Sequence, residues 1–283
     1  MNLTVVAVSL AAAVAFGWSS AAMHRGASAT PADTPGVVGL LRHITRDPLW
    51  VTGMAASLAG LALHAVALRN GAIGVVQPLV VQSLAFSLLF RAALEGRTLP
   101  RAVLGWAGIS TIGLALFLGA SRSTAGRDAP DGAAALVVIV LAAVVAGGCW
   151  WLAGRSEHRA QGALLGATVG IWFGLTAGAL KATVGQSSAA AALESPALYV
   201  LLALGLSGQL LNQVVYRRAE LDASLPTVNT VNPVVALIVG SAVFAEQPTG
   251  SVLRLTLGLA GLGITLVALT VLAWLSTPSP ADG

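Results

Sequence analysis

The feature that most constrains this chain is the spacing of its charged residues. Nine stretches of 20 or more residues contain no Asp, Glu, Lys or Arg, in a chain of 283 residues. About 20 apolar residues, each rising 1.5 Å along a helix, cross the hydrocarbon core of a bilayer. The core of a soluble domain could not enclose nine such segments. The stretches, numbered here as spans 1 to 9, are Met1–His24, Pro48–Leu68, Asn70–Phe90, Ala102–Ser121, Gly132–Gly154, Ala160–Leu180, Ser195–Tyr216, Ala223–Ala245 and Leu255–Ala281.

The composition supports the same class. Charged residues make up 9% of the chain and hydrophobic residues 56%, whereas a soluble domain carries about 25% charged residues. The sequence therefore predicts an all-α polytopic membrane protein whose main partner is the lipid bilayer. The single cysteine, Cys149, excludes a disulfide within the chain. The net charge of +4 comes from basic residues dispersed at span ends, so we expect no nucleic-acid partner.

The basic residues also predict the orientation, because Lys and Arg are enriched in cytoplasmic loops. With nine spans and the N-terminus outside, the inner loops hold ten Lys and Arg residues and the outer loops hold five. We therefore expect a plasma-membrane protein with its N-terminus outside and its C-terminus in the cytoplasm. An undetected tenth span would reverse this assignment. Span 1 ends in small residues, as a secretory signal peptide does, but it lacks the positive start. We expect it to be retained, with a cleaved N-terminus as the alternative, because it matches span 6, which lies in the middle of the chain.

The first four spans resemble the last four. Ala15-Phe16-Gly17 in span 1 is similar to Trp172-Phe173-Gly174 in span 6. An odd number of spans separates matching members, so the two halves would point in opposite directions, as in many secondary transporters. At one constant offset, Gly60, His64, Arg69 and Pro78 align with Gly208, Asn212, Arg217 and Pro226.

This repeat sets the expected domain organisation. Residues 1–121 form the first four-helix repeat and contain an interfacial segment at 25–47. Residues 122–159 form a linker and the central helix, and residues 160–275 form the second four-helix repeat. Residues 276–283 form a disordered tail.

Two polar segments with prolines interrupt spans 3 and 8 at residues 76–83 and 225–233. Prolines inside a helix remove backbone donors, so we expect Pro78, Pro226 and Pro233 to shape their helices. Polar groups in hydrocarbon are costly unless they meet partners or line a wet cavity. The polar residues of these two segments and of the neighbouring spans therefore predict a substrate site. An amide network that only holds helices together is the alternative. The candidate residues are His64, Gln77, Gln82, Gln209, Asn212, Asn229 and Asn232.

Span 6 has a glycine at every fourth position. Small residues at this spacing form a stripe that lets a second helix approach closely. Packing is the simpler interpretation, and sliding of helices during transport is the alternative. Spans 4 and 9 contain similar glycine pairs, Gly105 with Gly108 and Gly258 with Gly261. These pairs could equally form the contacts of a homodimer. The stripe consists of Gly162, Gly166, Gly170, Gly174 and Gly178.

Charged residues at the span ends are expected to be solvated. Lys181 is interpreted as a lysine that reaches toward the interface, with binding of an anionic substrate as the alternative. Glu220, Asp222 and Glu246 are interpreted as residues of solvated loops. No Asp or Glu lies within a span, and no catalytic, phosphate-binding or metal-ligand motif is present. We therefore expect neither an enzyme nor a cofactor, and the sequence leaves a metal site undetermined.

The segments Val76–Leu79 and Val231–Leu237, together with the nine-span layout, resemble the drug/metabolite transporter superfamily with its EamA-type repeats. Within it, the chain looks most similar to bacterial relatives of the NIPA-type magnesium transporters, although EamA-type proteins usually have ten helices. The resemblance implies a secondary transporter of a small polar or cationic solute that works by alternating access. A magnesium transporter and a non-transporting membrane scaffold are the alternatives.

Overall fold

The computed structural model describes residues 2–28, 46–120, 122–123, 126–218, 221–249 and 251–276. Most of the expected interfacial segment 25–47 and of the expected tail 276–283 lies outside these ranges. The helices are α1 (Leu3–Ser28), α2 (Pro48–Asn70), α3 (Ile73–Val80), α4 (Ser83–Glu95), α5 (Arg101–Ala120), α6 (Gly132–Ala153), α7 (His158–Val184), α8 (Ala189–Glu194), α9 (Pro196–Arg218), α10 (Leu221–Val243) and α11 (Val252–Ser276). The strands β1 (Arg122–Ser123) and β2 (Pro248–Thr249) pair antiparallel.

Eight helical segments of the described chain are long and apolar enough to cross a membrane. They correspond to spans 1 to 6, 8 and 9, with α3 and α4 together forming span 3. The helix of span 7, α9, has a shorter apolar part, Pro196–Asn212. The prediction of a multi-pass, α-helical membrane protein is therefore confirmed. Of these eight segments α6 is the least enclosed, since only 6% of its apolar stretch is buried.

Polar residues fix several helix ends. The Asp47 carboxylate accepts a hydrogen bond from Trp50 N at 2.8 Å, and Asp131 accepts one from Ala133 N at 3.0 Å. Each satisfies a first-turn N–H group that has no partner within its helix. At the other end of a helix, Gly96 terminates α4 with a φ of 64°, a left-handed conformation that favours glycine.

Span 3 is interrupted at Val81 and Gln82, between α3 and α4. Pro78 has no N–H to donate to the carbonyl of Gly74, which weakens the helix at this point. Gln82 N instead bonds to Leu79 O at 3.2 Å, three residues back, which tightens the turn. The sequence predicts a helix shaped by proline here, and the structure divides it into two helices.

The helices form two groups with similar internal packing. In the first group, α1 packs against α2, α3 and α4, and in the second, α7 packs against α9 and α10. Phe16 of α1 lies against Gly60 of α2, and Phe173 of α7 lies against Gly208 of α9. The two groups meet mainly where α3 packs against α10 and where α5 packs against α11.

Small residues let α5 and α11 approach closely. A Cβ added to Gly113 would lie 2.8 Å from Thr265 N. One turn further along α5, Phe117 lies against Gly261, which is one turn earlier in α11. Residue numbers therefore rise along one helix as they fall along the other, and the two helices run antiparallel.

The glycine stripe of α7 faces α10. Cβ atoms added to Gly170 and Gly174 would lie 2.8 Å and 2.6 Å from the Cβ atoms of Val231 and Val235. Backbone therefore packs directly against valine side chains, which is the close approach that small residues allow. The stripe continues with Gly166 against Ser224 and Gly178 against Val239, and Gly162 is also buried.

Candidate functional site

Gln77 and His64 lie together between α3 and α2. Gln77 Nε2 is 3.5 Å from His64 Nε2, at the outer limit of a hydrogen bond. Gln77 is buried, and the His64 ring meets the edge of Phe16 with centroids 6.3 Å apart. The contact fits a histidine bonded between helices, and a binding role for either residue stays a prediction.

Gln82 belongs to a separate hydrogen-bonded cluster. Ser110 Oγ of α5 donates to Gln82 Oε1 at 2.9 Å. Thr265 Oγ1 of α11 donates to Ser110 O at 3.4 Å. All three residues are buried. Gln82 thus ties the break in span 3 to α5, and Thr265 ties α11 to the same turn of α5. The contact fits the alternative given above for the polar residues, an amide network that holds helices together.

Ser110→Ala is expected to lower the free energy of unfolding by about 1 kcal/mol, a usual value for one buried hydrogen bond. The substitution also leaves Gln82 Oε1 without this donor. Thermal unfolding in detergent measures the change. Thr111→Val is the matched control, because exposed Thr111 donates to Ala107 O within its own helix. Equal losses for both variants would contradict a cluster that ties the helices together.

Two buried amide oxygens stand without a donor in the part of the chain that the structure describes: Asn212 Oδ1 of α9 and Asn232 Oδ1 of α10. The backbone of Asn232 lies against Gly174 of α7. Asn212 is one helical turn from Gly208, which packs on Phe173 of α7. Since Phe173 and Gly174 are neighbours, both amides lie at a similar level along α7. Each buried oxygen without a donor lowers the stability of the fold by about 1–3 kcal/mol. A bound solute could supply the missing donors, so we take this level of α7 as the candidate site.

Asn229 adds acceptors on the same helix. It is half-buried and lies three residues before Asn232, so the two share a side of α10. The helix continues through Pro226 and Pro233, but Pro233 has no N–H to donate to the carbonyl of Asn229. The segment therefore offers both a backbone carbonyl and amide oxygens.

Gln209 lies elsewhere. Its side chain is exposed on α9, beside Leu206 and Leu210, which are 67% and 68% exposed. Residues three apart on a helix differ by about 60° in direction. That difference is enough to place Asn212 inside the bundle and Gln209 on its surface, so we leave Gln209 out of the proposed site.

An apolar cleft of about 190 Å³ lies between α6, α7, α9 and α10, and the candidate polar residues are not among its lining. Leu175, Leu204 and Phe244 are among the side chains that line it. We assign it no substrate role. Within the described ranges, no group of three or more His, Cys, Asp or Glu residues could hold a metal ion.

A buried ion pair joins the end of α7 to the connection after α10. Lys181 and Glu246 are each 4% exposed. Lys181 Nζ donates to Glu246 Oε1 and to Gly71 O at 3.3 Å. The carboxylate also accepts from Ile73 N at 2.8 Å and from Gly74 N at 3.1 Å. These two N–H groups belong to the first turn of α3, where a helix attracts negative charge.

The turn after α10 directs Glu246 inward. Ala245 has a φ of 54°, a left-handed conformation that costs about 1–2 kcal/mol for a residue other than glycine. Glu246 N bonds to Gly240 O at 3.0 Å, six residues back, which satisfies a carbonyl of the last helical turns. A Cβ added to Gly240 would collide with the Glu246 carboxylate. Glycine at this position therefore leaves room for the buried charge.

Two sequence expectations are wrong at this ion pair. Lys181 does not reach toward the interface, and Glu246 is not solvated, because each side chain is buried against the other. The only sequence signal is that each charge directly adjoins a long uncharged span. A single sequence does not reveal that residues so far apart in the chain are partners.

Comparison with known proteins places the chain in a family. It is 30% identical over 249 residues to the uncharacterized protein Cgl0250/cg0304 of Corynebacterium glutamicum, covering 87% of this chain and 86% of that protein. No family model matches the chain, and no solved structure matches it. The chain belongs to the same family as this Corynebacterium glutamicum protein.

Proposed function

We propose that the protein is a secondary transporter of the drug/metabolite transporter type, with EamA-like repeats and a likeness to NIPA-type proteins. It moves a small polar or cationic solute across the plasma membrane by alternating access and catalyses no chemical reaction. The observation that carries this proposal is the similar packing of the two helix groups, together with the antiparallel packing of α5 and α11. Inverted repeats of this kind can exchange conformations around a central site.

Equivalent residues of the two repeats make equivalent contacts. The contact of Phe16 with Gly60 in the first repeat corresponds to that of Phe173 with Gly208 in the second. The matching helices α5 and α11 pack antiparallel, as inversion requires. These contacts support the assignment of residues 1–121 and 160–275 as inverted repeats around the central helix α6.

A second correspondence involves the matched prolines of spans 3 and 8. Gln82 follows Pro78 by four residues and bonds to Ser110 of α5, the next span. Thr230 follows Pro226 by four residues, and its hydroxyl lies 2.9 Å from that of Thr270 in α11, the next span. Each repeat thus links its third span to its fourth at the same distance from the proline.

The chemistry of the central residues supports the substrate class. The oxygens of Asn212 and Asn232 that lack donors are acceptors, and the Asn229 carbonyl lacks its helical donor. A solute with N–H groups or a positive charge would satisfy them. Magnesium also prefers oxygen ligands, but it usually binds through carboxylates and retained waters. We therefore favour the organic solute and keep Mg²⁺ as the alternative.

Two finer parts of the proposal concern assembly and orientation. The basic residues support an N-terminus outside the cell and a cytoplasmic C-terminus. Cβ atoms built on Gly105 and Gly108 of α5 meet no atom of the described chain within 4 Å. This surface is available to a second copy of the chain, and a homodimer through it is compatible with transport.

Purified protein in proteoliposomes is expected to carry at least one solute of a panel of organic cations, neutral polar metabolites and Mg²⁺ faster than empty liposomes do. Thermal stabilisation by the same solute would identify it as a ligand of the native state. Stabilisation by Mg²⁺ alone would favour the ion. Absence of flux for the whole panel would support the membrane-scaffold alternative and contradict transport.

A further inference from the structure

The buried ion pair lies where the two helix groups meet. Lys181 and Glu246 both belong to the second repeat, at the ends of α7 and α10. Their cross-contacts are to the first repeat: Glu246 accepts from Ile73 N and Gly74 N, and Lys181 donates to Gly71 O. Together these bonds hold the start of α3 against the second repeat.

The loop between α5 and α6 covers the same end of the bundle. Arg127 N bonds to Phe244 O at 2.7 Å, and Asp131 N bonds to Val243 O at 2.9 Å. Gly126 has a φ of 71°, and a Cβ there would lie 2.9 Å from Glu246 Cγ. The Glu246 side chain thus lies against the start of α3, the end of α7 and the loop between α5 and α6.

We propose that the Lys181–Glu246 pair is a latch that holds this end of the protein shut and releases α3 when the end opens. This inference rests on the proposed transport function. The arrangement keeps the two charges together during release. Because Lys181 and Glu246 move together on one repeat, separation from α3 leaves the ion pair intact. The bonds broken at the pair are hydrogen bonds to backbone groups, and neither buried charge loses its partner of opposite sign.

Among the described residues, no such buried ion pair is found at the opposite end of the first repeat. Glu95, at the end of α4, pairs with Arg91 of the same helix at 2.9 Å and with Arg97 of the following connection at 3.4 Å. Its side chain is 25% exposed, whereas that of Glu246 is 4% exposed. The two equivalent glutamates therefore differ, and within the described chain the Glu246 end is the one with a buried ion pair.

Thiol accessibility tests the latch without knowledge of the substrate. Gln77→Cys, in a background with Cys149→Ser, places a buried reporter one helical turn beyond Ile73. A membrane-impermeant maleimide is added from the side of the bilayer that exposes Gln247. Glu246→Gln weakens the bonds to α3, so we expect the labelling rate to rise at least about tenfold, since each bond to a charged acceptor is a strong one. Glu95→Gln is the matched control and should leave the rate unchanged.

A second variant covers the case in which an unpaired buried lysine prevents folding. Lys181→Met with Glu246→Leu removes both charges and leaves no buried charge unpaired. If Glu246→Gln fails to fold, this double variant is expected to fold and to label at least about tenfold faster. A folded variant that labels at the original rate, or failure of both variants to fold, would overturn the latch. Because labelling needs no solute, absence of flux in the unmodified protein would overturn only the transport proposal.

Discussion

Replacing Gly174 by valine is expected to destabilise the protein by about 3 kcal/mol or more, at the upper end of the usual cost of overpacking. A Cβ at this position would lie 2.6 Å from Val235 Cβ and 2.9 Å from Asn232 O. One of these neighbours is backbone, so the clash cannot be relieved by a rotamer change alone. The helices α7 and α10 would have to separate along the whole stripe. Thermal unfolding in detergent, monitored by size-exclusion chromatography, measures the loss.

Gly147→Val is the matched control for this substitution. Gly147 lies on exposed α6, where an added Cβ meets no atom within 4 Å. The same chemical change there should leave stability unchanged or slightly raised, because glycine is a poor helix former. A similar loss at both positions would show that the result reflects valine in a helix and would contradict close packing of α7 on α10.

Asn232→Leu combined with Asn229→Leu is expected to abolish transport while stability stays equal or rises. The Asn232 oxygen is buried without a donor, so its removal relieves a cost instead of breaking a bond. A group retained at a stability cost is typical of a functional site. Flux in proteoliposomes and thermal unfolding of the same preparation measure the two quantities.

Gln209→Leu is the control, because it also replaces an amide side chain by leucine, in this case on α9. Gln209 is exposed on α9, so its substitution should leave flux unchanged. If the double asparagine variant transported normally, the proposed site would be refuted. If that variant lost flux only because it unfolded, a structural amide network would be the better interpretation.

The coarse architecture was readable from the sequence because hydrocarbon imposes a simple rule. An uncharged stretch of about 20 residues is long enough to span it, and the spans predicted from this rule correspond to the long helices. The stripe at Gly170 and Gly174 was readable because helix geometry puts every fourth residue on one face. The partner of that face, α10, was not readable, since periodicity identifies a surface without identifying what covers it.

Finer features depended on contacts between distant residues. Pro78 indicated a distortion of span 3. The sequence did not reveal that Gln82, at the break between α3 and α4, bonds to Ser110 of α5. Gln209 and Asn212 have similar sequence surroundings, and only packing against α7 separates the buried one from the exposed one. Lys181 and Glu246 show the same limit, because each charge alone is typical of a membrane rim. Their burial follows from mutual neutralisation and from the N–H groups at the start of α3.

The side of the membrane reached by two matched positions tests the inverted repeat most directly. Arg46 lies two residues before α2, and Glu194 lies two residues before the equivalent helix α9; both are exposed. Each is replaced by cysteine separately in a Cys149→Ser background and labelled with an impermeant maleimide in oriented membranes. Inverted repeats predict that the two cysteines label from opposite sides, with position 46 on the cytoplasmic side. Labelling of both from the same side would contradict the inversion and, with it, the proposed alternating-access transporter.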